Sequence, residues 1–296
     1  MEKLKYLLYG IVLCALGCSS SSDDNPGPDG GGASANTLKV MSFNIRCVTT
    51  SDTGDKAWDV RKAPCVKMIN SIRPDVIGMQ EPRTAQRDYL KQNLPDYEML
   101  EVPNTGTSKG GNSVLLYRKS RFTRIDWGYY FLSDTPDVPS VAWEAEQWHT
   151  TVWAHLKEVG TDKDFWLFTT HMPAYASNIS AREKSAKLNV SKMKELAGEN
   201  AMLFITGDMN CSYATDDASR EALTPYYQWM SAARDIAPAG DAYSFNNYGS
   251  GTATPKRNLD HIFYRNGVAV SFRTITDNYG VPYISDHYPI LLTTIF

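Results

Sequence analysis

Six polar clusters carry the residues with chemical potential, and each closes or opens a strand-like apolar run. Asn44 ends Leu38-Lys39-Val40-Met41-Ser42-Phe43, Glu81 follows Asp75-Val76-Ile77-Gly78-Met79-Gln80, and His171 follows Phe165-Trp166-Leu167-Phe168-Thr169-Thr170. Asp208 and Asn210 come straight after the apolar stretch 201–206, Asp260 opens 259–264, and Asp286-His287 precedes 290–295. Taken singly, a polar residue after a strand is a turn residue, because its side chain bonds the nearby backbone. Strand ends are also where a rigid sheet can aim several side chains into one cleft. Pooled there, the carboxylates and amides suit a hard divalent cation bound through oxygen. The imidazoles add proton transfer near neutral pH.

The elements that must position these groups can be read from periodicity. Apolar and polar residues alternate over 38–45, as in a strand, and helical spacing over 58–72 stops before Pro74. A strand over 75–80, a helix over 83–94 and strands over 97–101, 113–117 and 122–132 follow, then a loop rich in Pro and Trp over 133–148. Strands over 151–156 and 165–171, a helix over 179–196, the strand at 201–206 and a looser, partly helical stretch to about 233 lead to final strands over 259–264, 268–275 and 290–295. Helices and strands alternate with no internal linker or repeat, which predicts one layered α/β or α+β domain.

Bulk properties narrow the function. The 296 residues are 42% hydrophobic and 11% aromatic, enough for a sizeable core. The formal charge is −3. A protein gripping a nucleic-acid polymer usually carries a basic excess to neutralise phosphates, so nucleic acid is an allowed but disfavoured partner. Lys3 and Lys5 precede an apolar run from Leu7 to Leu16, the pattern of a secretory leader and too short for a membrane span. Ala15-Leu16-Gly17-Cys18 resembles a bacterial lipoprotein processing site. We therefore expect a leader over 1–17, a lipid on Cys18, a disordered Ser/Asp/Gly/Pro tether over 18–36 and a catalytic domain over 37–296. The protein is then exported and lipid-anchored in the cell envelope, at the outer membrane or cell surface. Cys47, Cys65 and Cys211 are odd in number and fit no zinc spacing, so a bridge-independent fold is expected.

The ordered motifs resemble the endonuclease/exonuclease/phosphatase superfamily typified by deoxyribonuclease I. The likeness runs through Ser42-Phe43-Asn44-Ile45-Arg46, Gln80-Glu81-Pro82, Asn112-Ser113-Val114-Leu115-Leu116-Tyr117-Arg118, Thr170-His171, Gly207-Asp208-Met209-Asn210, Leu259-Asp260-His261-Ile262-Phe263 and Ser285-Asp286-His287-Tyr288-Pro289. It implies a four-layered α/β sandwich, two packed mixed β-sheets flanked by helices. It also implies a metal-dependent phosphoesterase with water as nucleophile. Glu81 is then the main ligand of Mg²⁺ or Mn²⁺, with Asn44 and Asp286 beside it. Asp260 orients His287, Asp208 and Asn210 hold the attacking water, and His171 donates to a non-bridging phosphate oxygen. Either Asp208 or His287 takes the water's proton.

Two departures bear on substrate. Arg46 stands where some nucleases of the superfamily carry an Asp, which disfavours a second metal; it either contacts phosphate or pairs with Glu81. His149 stands where the similar exported subgroup has an Arg, so a planar phosphate fork is replaced by a titratable ring. Trp143, with Trp148, either stacks on a substrate ring or covers the core edge. Arg182 is placed like a substrate-contacting Arg of that subgroup. The expectation is a monomer acting on a small or lipid-linked phosphoester. The alternatives are an extracellular nuclease and a catalytically weak binding protein.

Overall fold

A computed structural model describes residues 36–103 and 113–296. The leader, Cys18, most of the tether and Asn112 lie outside the described residues.

Runs buried on both faces become the central strands. In β1 (Thr37–Asn44), Leu38 and Val40 face one core and Met41 and Phe43 another. In β2 (Val76–Gln80) every residue is buried. The first sheet adds β3 (Tyr97–Glu101), β4 (Ser113–Arg118), β11 (Val268–Thr274) and β12 (Ile290–Ile295) in the order β11-β12-β1-β2-β4-β3. The second contains β5 (Phe122–Phe131), β6 (Thr150–Glu158), β7 (Asp164–His171), β8 (Leu203–Asp208), β9 (Ser231–Ala232) and β10 (Asp260–Arg265) in the order β5-β6-β7-β8-β10-β9. Among the described residues only β1–β2 and β7–β8 pair in parallel, so both sheets are mixed.

The sheets stack over a shared core that includes Leu38, Val76 and Leu115 from one and Phe165, Phe204 and Ile262 from the other. Gly78 makes the closest approach possible. A Cβ there would overlap the side chains of Thr169 and Thr206 across the interface. Beside it, Gln80 Nε2 donates to Thr169 Oγ1 at 3.0 Å. Two helices, α1 (Trp58–Ile72) and α2 (Thr84–Asn93), cover the outer face of the first sheet through Cys65, Met68, Ile69 and Leu90. On the second sheet, α3 (Ile179–Ala197) and the short α4 (Thr224–Tyr227) bury Ala186, Met193 and Tyr226. This is the four-layered sandwich that the resemblance implies. The partly helical stretch after β8 resolves into short 3₁₀ turns, α4 and the two-residue β9. Among the described residues no helix is long and apolar enough to cross a membrane.

Candidate active site

Register gathers the polar clusters at one end of the sandwich. The parallel pair β1–β2 aligns Asn44 with Gln80, so Glu81 emerges beside Asn44. The parallel pair β7–β8 aligns His171 with Asp208, and the antiparallel pair β8–β10 sets Asp260 opposite Asp208. The segment before β12 brings in Asp286 and His287, fixed where Ser285 Oγ donates to the Asn44 carbonyl oxygen at 2.7 Å. Gly207 allows the crowding, since a Cβ there would overlap the Thr170 carbonyl.

Asp208 is the hub. Its Oδ2 accepts from Asn44 Nδ2 at 2.9 Å and stands 3.6 Å from both His171 Nε2 and His287 Nε2. Its Oδ1 accepts from the Asn210 backbone N–H at 3.0 Å. Asn210 Nδ2 donates to the Met172 carbonyl at 2.9 Å. Behind His287, Asp260 Oδ2 receives Nδ1 at 2.8 Å, which leaves Nε2 facing Asp208. Burial opposes a charge on His287, but Asp260 and Asp208 outweigh it and hold its pKa well above the usual value. Burial, aided by Asp260, raises the Asp208 carboxyl.

On the facing wall, Glu81 accepts from Asn44 Nδ2 at 3.0 Å and from the Cys47 backbone N–H at 2.9 Å. Burial alone would raise its carboxyl, yet His171 and these two donors bring it down to about 2. Burial, with the nearby Glu81 charge, raises Asp286. Asn44, expected as a metal ligand, instead stands behind this wall with no exposed surface. Its amide nitrogen bridges Glu81 and Asp208, and its oxygen accepts the Arg46 N–H at 2.9 Å. It is a strut between carboxylates. Arg46, Glu81 and Asn210 all adopt positive φ, at 60°, 69° and 50°. Such left-handed backbone costs non-glycine residues about 1–3 kcal/mol each and persists only where surrounding contacts enforce it.

The groups open on a cleft of about 580 Å³, within the range of small-molecule sites. Glu81, His171, Asp208, Asn210, Asp286 and His287 all line it, as do Arg46 and His149; Asp260 lies behind. Donor atoms of Glu81, His171 and Asp208 lie within 4.8 Å of one another, as do those of Asp208, Asp260 and His287. Glu81 and Asp208, close together beside His171 and sharing the lining with Asp286, fit a hard divalent cation, which offsets the repulsion between carboxylates.

The remaining sequence candidates sit differently. Arg46 chelates Asp52 at 3.0 and 3.2 Å and reaches Asp286 at 3.8 Å, so its acidic partners are these rather than Glu81. Arg182 is buried outside the cleft lining, where Nη1 ties down the carbonyls of Pro173 and Tyr175. It shapes a loop of the cleft, because it is buried, absent from the lining, and braces two backbone oxygens of that loop. Trp143 packs at the edge of the outer core of the second sheet, and Nε1 donates to Asp134 at 3.0 Å. Neither Trp143 nor Trp148 lines the cleft, so the covering role describes their placement. Sequence reasoning missed Arg83, Glu146, Gln147, Tyr175, Asn178 and Phe245, which do line it. Phe245 had no signal at all; its isolated bridge to His287 and its ring, 4.9 Å from the His287 ring, bring it in.

The profile of the endonuclease/exonuclease/phosphatase family matches residues 41–287. A mannosyl-6-phosphatase of Bacteroides thetaiotaomicron is 31% identical, covering 88% of this chain and 100% of that one, with a TM-score of 0.78. An endonuclease/exonuclease/phosphatase protein of Bacteroides vulgatus is 29% identical, covering 87% and 98%, also with a TM-score of 0.78. TDP2 of D. rerio, solved with a single-strand DNA product, shares the fold with a TM-score of 0.70 at 19% identity, covering 88% and 99%.

Proposed function

The chain belongs to the endonuclease/exonuclease/phosphatase family, and from that premise we propose that it is a divalent-metal-dependent hydrolase of small phosphoesters with water as nucleophile. One observation carries the reading: Asp208 Oδ2 lies 3.6 Å from two imidazole nitrogens, one of which is held from behind by Asp260 at 2.8 Å. This is a proton-transfer centre, in the same cleft as the Glu81 and Asp286 carboxylates.

In this reading Glu81 and Asp286, with Asp208 close by, hold Mg²⁺ or Mn²⁺, and Asn44 keeps Glu81 and Asp208 in place. When bound, the cation neutralises charge on the phosphoryl and leaving oxygens. Asp208 and Asn210 orient the attacking water. Its proton passes to the Asp208–His287 pair, whose facing atoms are close enough that either can hold it. Asp260 fixes the His287 tautomer so that Nε2 faces the reaction. His171 donates from Nε2 to a non-bridging oxygen as charge builds there. Arg46 adds a fixed positive charge at the metal side.

A small substrate is favoured over a polymer by the cleft volume, by the net charge of −3 and by the 31%-identical relative described as a mannosyl-6-phosphatase. The N-terminal pattern supports export, with the leader over 1–17, lipid on Cys18, the tether over 18–36 and the catalytic domain over 37–296.

A panel tests the reading: hexose phosphates, inositol phosphates, phospholipids, bis-p-nitrophenyl phosphate, DNA and RNA, each with Mg²⁺ or Mn²⁺. The expected result is hydrolysis of a small ester that stops with EDTA. Preferential cleavage of DNA or RNA, falling steeply with salt, selects the nuclease instead. Intact esters throughout select a binding protein.

A further inference from the structure

His149 commits its nitrogens differently from the other imidazoles of the cleft. Its Nδ1 lies 2.8 Å from the backbone carbonyl oxygen of His171. A carbonyl oxygen only accepts, so Nδ1 must carry the proton. The ring is 5% exposed and stands edge-on to His171, with centroids 5.5 Å apart and planes at 87°. Burial, then the neighbouring His171, pulls its pKa down to about 3. The ring is therefore neutral at physiological pH, and Nε2 carries a lone pair. Among the described residues Nε2 has no hydrogen-bond partner, and the ring lines the cleft.

A lone pair is the wrong group for an ionised phosphate oxygen. Both are acceptors and repel each other, whereas a hydroxyl can donate to Nε2. The walls divide in the same sense. The wall built on the first sheet carries the cations Arg46 and Arg83 together with Glu81. The wall built on the second sheet presents His149, Gln147 and Glu146, whose charge raises the Tyr175 phenol beside it. The Tyr175 ring, 55% exposed at the rim, offers a flat face of the kind that sugar rings pack against.

We propose that His149 is a specificity-determining residue that accepts a hydrogen bond from a hydroxyl of the leaving group, so that the cleft selects phosphoesters of sugars and polyols over those of hydroxyl-free alcohols. This rests on the proposed function and names the substrate class of that same site.

The test uses the full chain with Mg²⁺ and two esters of matched shape, a hexose 6-phosphate and cyclohexylmethyl phosphate. His149→Asn keeps an amide N–H for the His171 carbonyl and removes the acceptor at Nε2. Its kcat/KM should fall about three- to tenfold on the hexose phosphate, the worth of one neutral hydrogen bond, and stay within about twofold on the cyclohexylmethyl ester. His149→Arg should erase the preference for the hexose ester and strengthen inhibition by inorganic phosphate. Equal losses on both esters make His149 a structural residue and overturn the proposal, as does no loss on either. Wild-type turnover without preference between the esters refutes this inference alone. Wild-type inactivity toward every phosphoester refutes the proposed function, and this inference with it.

Discussion

Replacing Asn44 with aspartate tests the strut that joins the two walls of the cleft. Asn44 Nδ2 donates at 3.0 Å to Glu81 and at 2.9 Å to Asp208, and the residue has no solvent exposure. The new carboxylate would face two others at hydrogen-bond distance. It escapes repulsion by taking a proton, and holding a carboxyl protonated at pH 7 against an ordinary pKa near 3.9 costs about 4 kcal/mol. The protonated group has one O–H to offer two carboxylates, so one of them loses a donor, at about 1–2 kcal/mol more. The expected loss is about 5–6 kcal/mol in EDTA at pH 7, or roughly 10–24 °C in Tm for a domain of this size. Because the new group's folded pKa is raised above its unfolded value, the penalty shrinks as pH falls. Two pH units remove about 2.7 kcal/mol of it by pH 5. Urea unfolding at both pH values reads the effect, and added Mg²⁺ should restore part of the loss by offsetting the extra charge. A penalty below about 1 kcal/mol at pH 7, or one equal at both pH values, refutes the strut.

Three further outcomes are expected. Asp260→Asn keeps the shape of the residue behind His287 but removes the charge and the fixed tautomer; kcat should fall about 10²–10⁴-fold in a protein that is less stable but still folded at the assay temperature, and a loss under tenfold refutes the orienting role. His261 is buried with Nε2 2.7 Å from the Cys211 carbonyl, and burial pulls its pKa down to about 4. The unfolded ring takes a proton below about pH 6.5 while the folded one stays neutral, so folding stability should drop by up to about 3 kcal/mol as pH falls from about 6.5 to about 4. A His261→Gln variant should lose that slope in urea titrations, and an unchanged slope contradicts the assignment. Gly78→Ala places a methyl against Thr169 and Thr206 between the sheets, which should cost about 1–3 kcal/mol in urea unfolding; a neutral result means the sheets are less tightly packed than described.

The fold was legible wherever a strand is buried on both faces or a helix ends at a proline. β1, β2, β7 and β8 stand within a few residues of their expected places, and α1 stops at Ile72 with Arg73 at φ 48° just before Pro74. The two-residue β9 was not legible, because two residues carry no periodicity. The site was legible as a list of residue types at strand ends, but their division of labour was not. Asn44 reads in sequence like any ligand after a strand. Only the fold brings it to Asp208, 164 residues away, where its nitrogen is consumed between two carboxylates. Arg182 was likewise legible as a cation near the cleft, but its two carbonyl partners depend on the turn at 173–175. Glu146 and Tyr175 come from loops with no repeating pattern, and their joint place on the rim is a tertiary fact.

The most direct test of the central claim is phosphate release from a hexose phosphate by the full chain, stripped with EDTA and titrated with Mg²⁺, beside Glu81→Gln. The account predicts no release without metal, saturable recovery in the wild type, and a Glu81→Gln protein that stays folded yet needs at least about tenfold more metal or remains inactive. Release that ignores EDTA, or a Glu81→Gln titration that overlays the wild type, contradicts it.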